Sequence, residues 1–150
     1  MTPAYGVRSV QPDARVAPLR ALVVDDESAI RSVVRRFLER RGWHVDEADD
    51  GDVAQGYLGE SDLPRPRDYD MIIADVSMAR VGGAELHRWM LAHRPDMVSA
   101  FVVASGNVCE QGTAAFLARA RCPVLPKPFE LPMLAELVVR LGGGTRRRSA

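Results

Sequence analysis

Four short apolar runs, each stopping abruptly at a polar residue, constrain the fold of this chain more than any other feature. Leu19 to Val24 stops at Asp25-Asp26, Met71 to Ala74 at Asp75, Ala100 to Ala104 at Ser105, and Val124-Leu125 runs through Pro126 to Lys127. A continuous apolar run of this length suits a strand buried on both faces, as in a parallel sheet covered by helices. His44 to Ala48 alternates more weakly and is read as a fifth strand.

Helical spacing fills the intervals. Ile30, Val33, Val34, Phe37 and Leu38 recur on one helical face, with Asp26 or Ser28 placed as N-cap and Gly42 as terminator. Gly51 to Leu58, Ala84 to His93 (stopped by Pro95) and Gln111 to Arg119 give three more helices, and Leu131, Leu134, Leu137, Val138 and Leu141 line a last one. Ser61 to Asp68, with Pro64 and Pro66, is read as a loop. Five strand-then-helix repeats predict an α/β fold, a single doubly wound five-stranded parallel sheet with five helices.

The 150 residues hold one such domain. Residues 1–18, with three prolines and no hydrophobic period, are expected to be a flexible leader, residues 19–141 the domain, and residues 142–150, with glycines and three arginines, a tail. The balanced charge, 20 basic against 20 acidic residues, gives no argument for direct nucleic-acid or membrane binding. No apolar stretch reaches the ~18 residues of a membrane helix, the N-terminus lacks a signal-peptide pattern, and Cys109 and Cys122 form no metal or disulfide motif. These features predict a cytoplasmic protein. Of the 20 basic residues a single one is lysine, Lys127, and the rest are arginine.

In a doubly wound sheet the ligand site lies beyond the carboxyl ends of the strands, where strand order reverses. Asp25, Asp26, Asp75, Ser105 and Lys127 are all expected there. Three carboxylates in one place repel unless a cation sits among them, and an all-oxygen donor set favours Mg²⁺. Each residue also has a purely structural reading: Asp25-Asp26 as helix-capping acids, Asp75 or Ser105-Gly106 as turn residues, Lys127 as a surface lysine between two prolines. Their joint placement at the ends of different strands favours a site.

VVDDE at Val23 to Glu27, IIADVSM at Ile72 to Met78, VVASG at Val102 to Gly106 and LPKPFE at Leu125 to Glu130 resemble the signature segments of the response-regulator receiver domain of two-component signalling. The intervals from Asp75 to Ser105 and to Lys127 fit that family, as do Glu47-Ala48, Gly51 and Gly83. The resemblance implies that Asp75 is the phosphoacceptor for a sensor histidine kinase or a histidine phosphotransfer protein. It further implies that Asp26, Asp75 and the Ser77 backbone carbonyl hold Mg²⁺ directly while Asp25 acts through water. Lys127 would pair with a phosphoryl oxygen, and Ser105 would bond the phosphoryl group and pull the loop behind it toward the site. An ammonium is a point charge that reaches one oxygen in a crowded site, whereas a guanidinium is a broad fork, so arginine would not serve at position 127. The output implied is a protein effector on the face of the fourth helix, fifth strand and fifth helix, with homodimer formation left open.

Several positions depart from the family pattern. Val124 stands where an aromatic switch residue is usual, Ala79 where a proline is, and Gly82-Gly83 where an acid and a glycine are, which suggests a looser loop after Asp75. Ser77 and Asn107 occupy positions that tune dephosphorylation in the family. The remaining lengths leave no room for an output domain, so a stand-alone receiver is expected, acting as a switch without catalytic turnover on other molecules. A receiver segment of a hybrid histidine kinase is the alternative. A haloacid-dehalogenase-like phosphatase would need a second acid two residues after its nucleophile, where Ser77 stands. A flavodoxin-like cofactor binder would not place Asp25-Asp26-Glu27 against a phosphate.

Overall fold

The computed structural model describes residues 17–59, 68–107 and 110–142. The expected leader up to residue 16, the proline-containing loop except Asp68, and the tail from residue 143 lie outside the described residues. Five strands, β1 (Arg20–Val24), β2 (His44–Ala48), β3 (Met71–Asp75), β4 (Phe101–Ser105) and β5 (Val124–Pro126), form one parallel sheet in the order β2-β1-β3-β4-β5. The helices are α1 (Ser28–Glu39), α2 (Gly51–Gly59), α3 (Gly83–His93), α4 (Gln111–Ala120) and α5 (Leu131–Gly142). This is the predicted fold class.

Strand alternation sorts the core into two layers. Leu22, Val24, Ile72, Ala74, Phe101 and Val103 face α2, α3 and α4, meeting Leu58, Leu86, Met90 and Phe116. Ala21, Val23, Met71, Ile73, Val102, Ala104 and Leu125 face the other way, onto Val34, Phe37 and Leu38 of α1 and Leu134 and Leu137 of α5. Both faces of β3 and β4 are therefore buried, which is why their sequences are unbroken apolar runs. Phe101 is fully buried, so truncation to alanine would cost about 3–5 kcal/mol. β2, at the edge, is only half covered, and its weak alternation records that position.

Local endings differ from expectation in three places. Glu27 is the N-cap of α1, in place of Asp26 or Ser28, and it makes no side-chain cap bond; the Asp25 carboxylate instead accepts the Glu27 N–H. Gly42, at φ +81°, turns the chain after α1 as expected, and the Trp43 N–H returns to the Leu38 carbonyl. Pro95 ends α3 by opening a 3₁₀ turn, Pro95–Ala100, so β4 begins at Phe101. α5 continues through Gly142, the residue expected to open the tail; an added methyl there would sit only 3.3 Å from the Leu19 and Trp43 side chains.

Candidate functional site

Strand order reverses between β1 and β3, and the carboxyl ends of these neighbours bring Asp25 and Asp75 together. Asp25 is held from several sides. Its N–H donates to the Ala48 carbonyl at 3.1 Å, its Oδ1 accepts the Glu27 N–H at 2.9 Å, and its carbonyl accepts a bond from Arg31 at 2.6 Å. Arg31 is aligned in turn by Glu47 on β2. Asp75 ends β3, with Oδ1 3.3 Å from the Ser77 N–H.

Lys127 reaches this pair from the end of β5. Its Nζ donates to Asp25 Oδ2 at 2.6 Å and to Asp75 Oδ2 at 2.9 Å, and its N–H donates to the Ser105 carbonyl at 2.7 Å. Burial by itself would lower the Lys127 pKa, but the bonds to Asp25 and Asp75 outweigh it and hold the ammonium above its ordinary value. The peptide bond that follows, Lys127-Pro128, is cis.

Asp26 completes the cluster. One carboxylate oxygen from each of Asp25, Asp26 and Asp75 lies within 4.8 Å of the others, and this is the one such cluster among the described residues. Asp25 and Asp75 are buried and Asp26 is exposed. Three formal negative charges face one ammonium, leaving two unbalanced, so a divalent cation fits the donor set. The Ser77 carbonyl, two residues past Asp75, accepts no hydrogen bond from any described group.

The other expected residues lie on the β4–β5 side. Ser105 is buried and its Oγ accepts the Asn107 N–H at 3.2 Å. Asn107 is exposed, and Val124 is half-buried beside Val103 in the α2/α3/α4 layer. Gly82-Gly83 does not slacken the loop. Both pack against the Val76 and Asp75 carbonyls, a methyl at Gly83 would meet the Asp75 carbonyl at 2.6 Å, and the Gly83 N–H donates to Val76. Close approach, not mobility, is what these glycines supply.

Residues 21–139 match the response regulator receiver domain family. The chain belongs to that family. This receiver domain is 35% identical over 132 residues to the response regulator MprA of Mycobacterium sp. (strain KMS), covering 88% of this chain and 53% of that protein. It is 32% identical over 133 residues to the transcriptional regulatory protein TrcR of Mycobacterium tuberculosis, covering 89% and 48%. The chain thus spans about half the length of the curated relatives it matches. Among solved structures it is similar to a response regulator receiver protein from Pseudomonas putida, with a TM-score of 0.71 and 28% identity over 84% of this chain and 99% of that one. It also shares its fold with the receiver domain of a sensor histidine kinase from Pseudomonas aeruginosa, solved with a magnesium ion coordinated in the active site cleft (TM-score 0.72, 22% identity, covering 85% of this chain and 100% of that one).

Two features of this receiver domain escaped the sequence reading. Asp50 is buried and bonded to the loop after β3; the only local sign was an acid followed by glycine after a strand, which also reads as a helix start. His87 is buried on α3 with its ring edge-on to Phe101 and Phe116, and burial lowers its pKa. Its spacing, four after Gly83 and three before Met90, puts it on the buried face of α3, a signal masked by its polar residue type. No helix among the described residues is long and apolar enough to cross a membrane.

Proposed function

We propose that this receiver domain takes a phosphoryl group onto Asp75 from the phosphohistidine of a sensor histidine kinase or of a histidine phosphotransfer protein. The observation that carries this reading is the Lys127 ammonium bridging Asp25 and Asp75 beside the third carboxylate. Of the two bridged carboxylates Asp75 is the better placed nucleophile. It is the more exposed, at 8% against 2%, and its Oδ1 accepts only a long bond from Ser77, whereas Asp25 Oδ1 is claimed by Glu27 at 2.9 Å. An Asp75 oxygen attacks phosphorus as the bond to the donor imidazole breaks, and the electron pair leaves with the imidazole. A carboxylate needs little activation for this, because positioning and charge neutralisation dominate phosphoryl transfer.

Asp25, Asp26, Asp75 and the Ser77 carbonyl are the residues that would hold Mg²⁺, and the ion coordinated in the Pseudomonas aeruginosa receiver domain supports that assignment. When bound, the metal neutralises charge on the transferring phosphoryl oxygens. Lys127 exchanges its carboxylate partners for a phosphoryl oxygen, and the Ser105 hydroxyl, which accepts the Asn107 N–H, donates its O–H to another. Both moves bias the loops after β4 and β5, and hence the face of α4, β5 and α5 presented to a protein effector. The chain works as a phosphorylation switch in the cytoplasm, turning over no substrate beyond its own phosphorylation and hydrolysis.

The test is incubation with acetyl phosphate or phosphoramidate and Mg²⁺, followed by intact-mass measurement. The wild type gains one phosphate and Asp75→Asn gains none. An unchanged adduct in Asp75→Asn, or no adduct in the wild type, overturns the assignment.

A further inference from the structure

Three carboxylates are buried among the described residues, Asp25, Asp50 and Asp75, and the mechanism above gives Asp50 no part. Asp50 precedes α2, where one bond to its own helix would suffice for a cap. It does accept the Asp52 N–H, at 3.4 Å, but its shorter bonds go elsewhere. Oδ1 accepts the Val81 N–H at 2.8 Å and Oδ2 the Arg80 N–H at 3.1 Å, from 31 and 30 positions down the chain. The Gly51 N–H answers by donating to the Val81 carbonyl at 3.0 Å, and a side chain at Gly51 would collide with Val81. Burial would raise the Asp50 pKa, but the backbone bonds from Val81, Arg80 and Asp52 outweigh it and lower it.

The segment held in this way follows Asp75. Its near end is fixed by the Ser77 N–H on Asp75 Oδ1 and by the Gly83 N–H on the Val76 carbonyl. Its far end, Arg80-Val81, has the Asp50 carboxylate. Between them stands Ser77, whose carbonyl has no donor among the described groups.

We propose that Asp50 is a positioning residue for phosphoryl acceptance, fixing the loop after Asp75 through the Arg80 and Val81 N–H groups and with it Ser77, whose carbonyl is assigned above to the metal. The role rests on the phosphoacceptor reading, but its first consequence, tighter Mg²⁺ binding, is measurable without phosphorylation. Residues that orient metal ligands from behind typically contribute 10–100-fold to affinity.

Isothermal titration calorimetry of the metal-free protein with Mg²⁺ is expected to show Kd raised about tenfold in Asp50→Ala. Asp50→Asn, which keeps one acceptor oxygen, should fall between that variant and the wild type. Hydrogen exchange of the wild type should show the Arg80 and Val81 amides protected, a readout that needs no variant to fold. Free exchange at both amides, or a wild-type Kd in folded Asp50→Ala, overturns the proposal. If Asp50→Ala does not fold, a wild-type Kd in Asp50→Asn overturns it. A wild type that takes up no phosphate overturns the phosphoacceptor reading instead and leaves these two measurements standing.

Discussion

The two sides of the sheet's carboxyl edge are held together in different ways. On the β1–β3 side, Asp25 and Asp75 are joined by one ammonium, and each is tied to its own loop by a backbone N–H. Asp50 secures the loop beyond. On the β4–β5 side, Ser105 makes a single side-chain bond among the described residues, to the Asn107 N–H, β5 pairs over three residues at the sheet edge, and α4 buries only Thr113 and Phe116. An accepting site benefits from preorganisation, because groups already in place cost no rearrangement when charge develops. A responding surface needs the opposite: a few weak ties that a new charge can outbid.

Removing the ammonium should break this contrast most severely. Lys127→Ala leaves Asp25 and Asp75 buried without a cation, and loss of one partner from such an assembly costs about 3–5 kcal/mol. Urea unfolding of the metal-free protein should register that loss, and Mg²⁺ should restore part of it. Lys127→Arg should fold and bind Mg²⁺ yet uncouple phosphorylation from rearrangement at residues 105–126, read by hydrogen exchange with and without the phosphoryl group. A normal exchange response in Lys127→Arg would refute the requirement for a point charge.

A smaller effect is expected on the other side. Ser105→Ala removes one hydrogen bond, so stability should fall by about 0.5–1.5 kcal/mol in urea titration. Phosphate uptake by intact mass should persist while the exchange response at α4 and β5 weakens. Full retention of that response would remove Ser105 from the switch.

The mildest probe is pH, which addresses the two sides separately. His87 lies beneath β4 and α4, and burial lowers its pKa from 6.5, so its stabilising contribution is complete above 6.5 and is lost as pH falls through the folded value. Lys127 is raised from 10.5 by its carboxylate partners, so its contribution is complete below 10.5 and is lost as pH rises through the folded value. Acid should therefore loosen the β4–α4 side and alkali the β1–β3 side. Thermal melts of wild type, His87→Gln and Lys127→Ala across both ranges check the assignment: His87→Gln should flatten the mildly acidic limb alone.

Much of the site was legible in sequence because four of its residues follow an apolar run, and local pattern suffices to place a strand end. Asp25, Asp75, Ser105 and Lys127 were found in that way. Asp50 was not, because its partners Arg80 and Val81 are reached only after the chain has passed through α2 and β3. By sequence Gly82-Gly83 implies slack, because composition records a missing side chain and not the carbonyls that occupy its place. The N-cap of α1 is Glu27, between the expected Asp26 and Ser28, and residue type did not mark it because its side chain makes no cap bond and its N–H goes to the Asp25 carboxylate.

The sequence by itself determined the five strand-helix repeats, the two-faced burial of β3 and β4, and the set of polar residues delivered to one edge, since these follow from periodicity within short windows. The tertiary structure decided which of them meet. Lys127 spans 102 positions to Asp25 and 52 to Asp75, and only the order β2-β1-β3-β4-β5 and its register bring that ammonium between those two carboxylates. Strand order is a property of packing the whole chain, so no local window contains it.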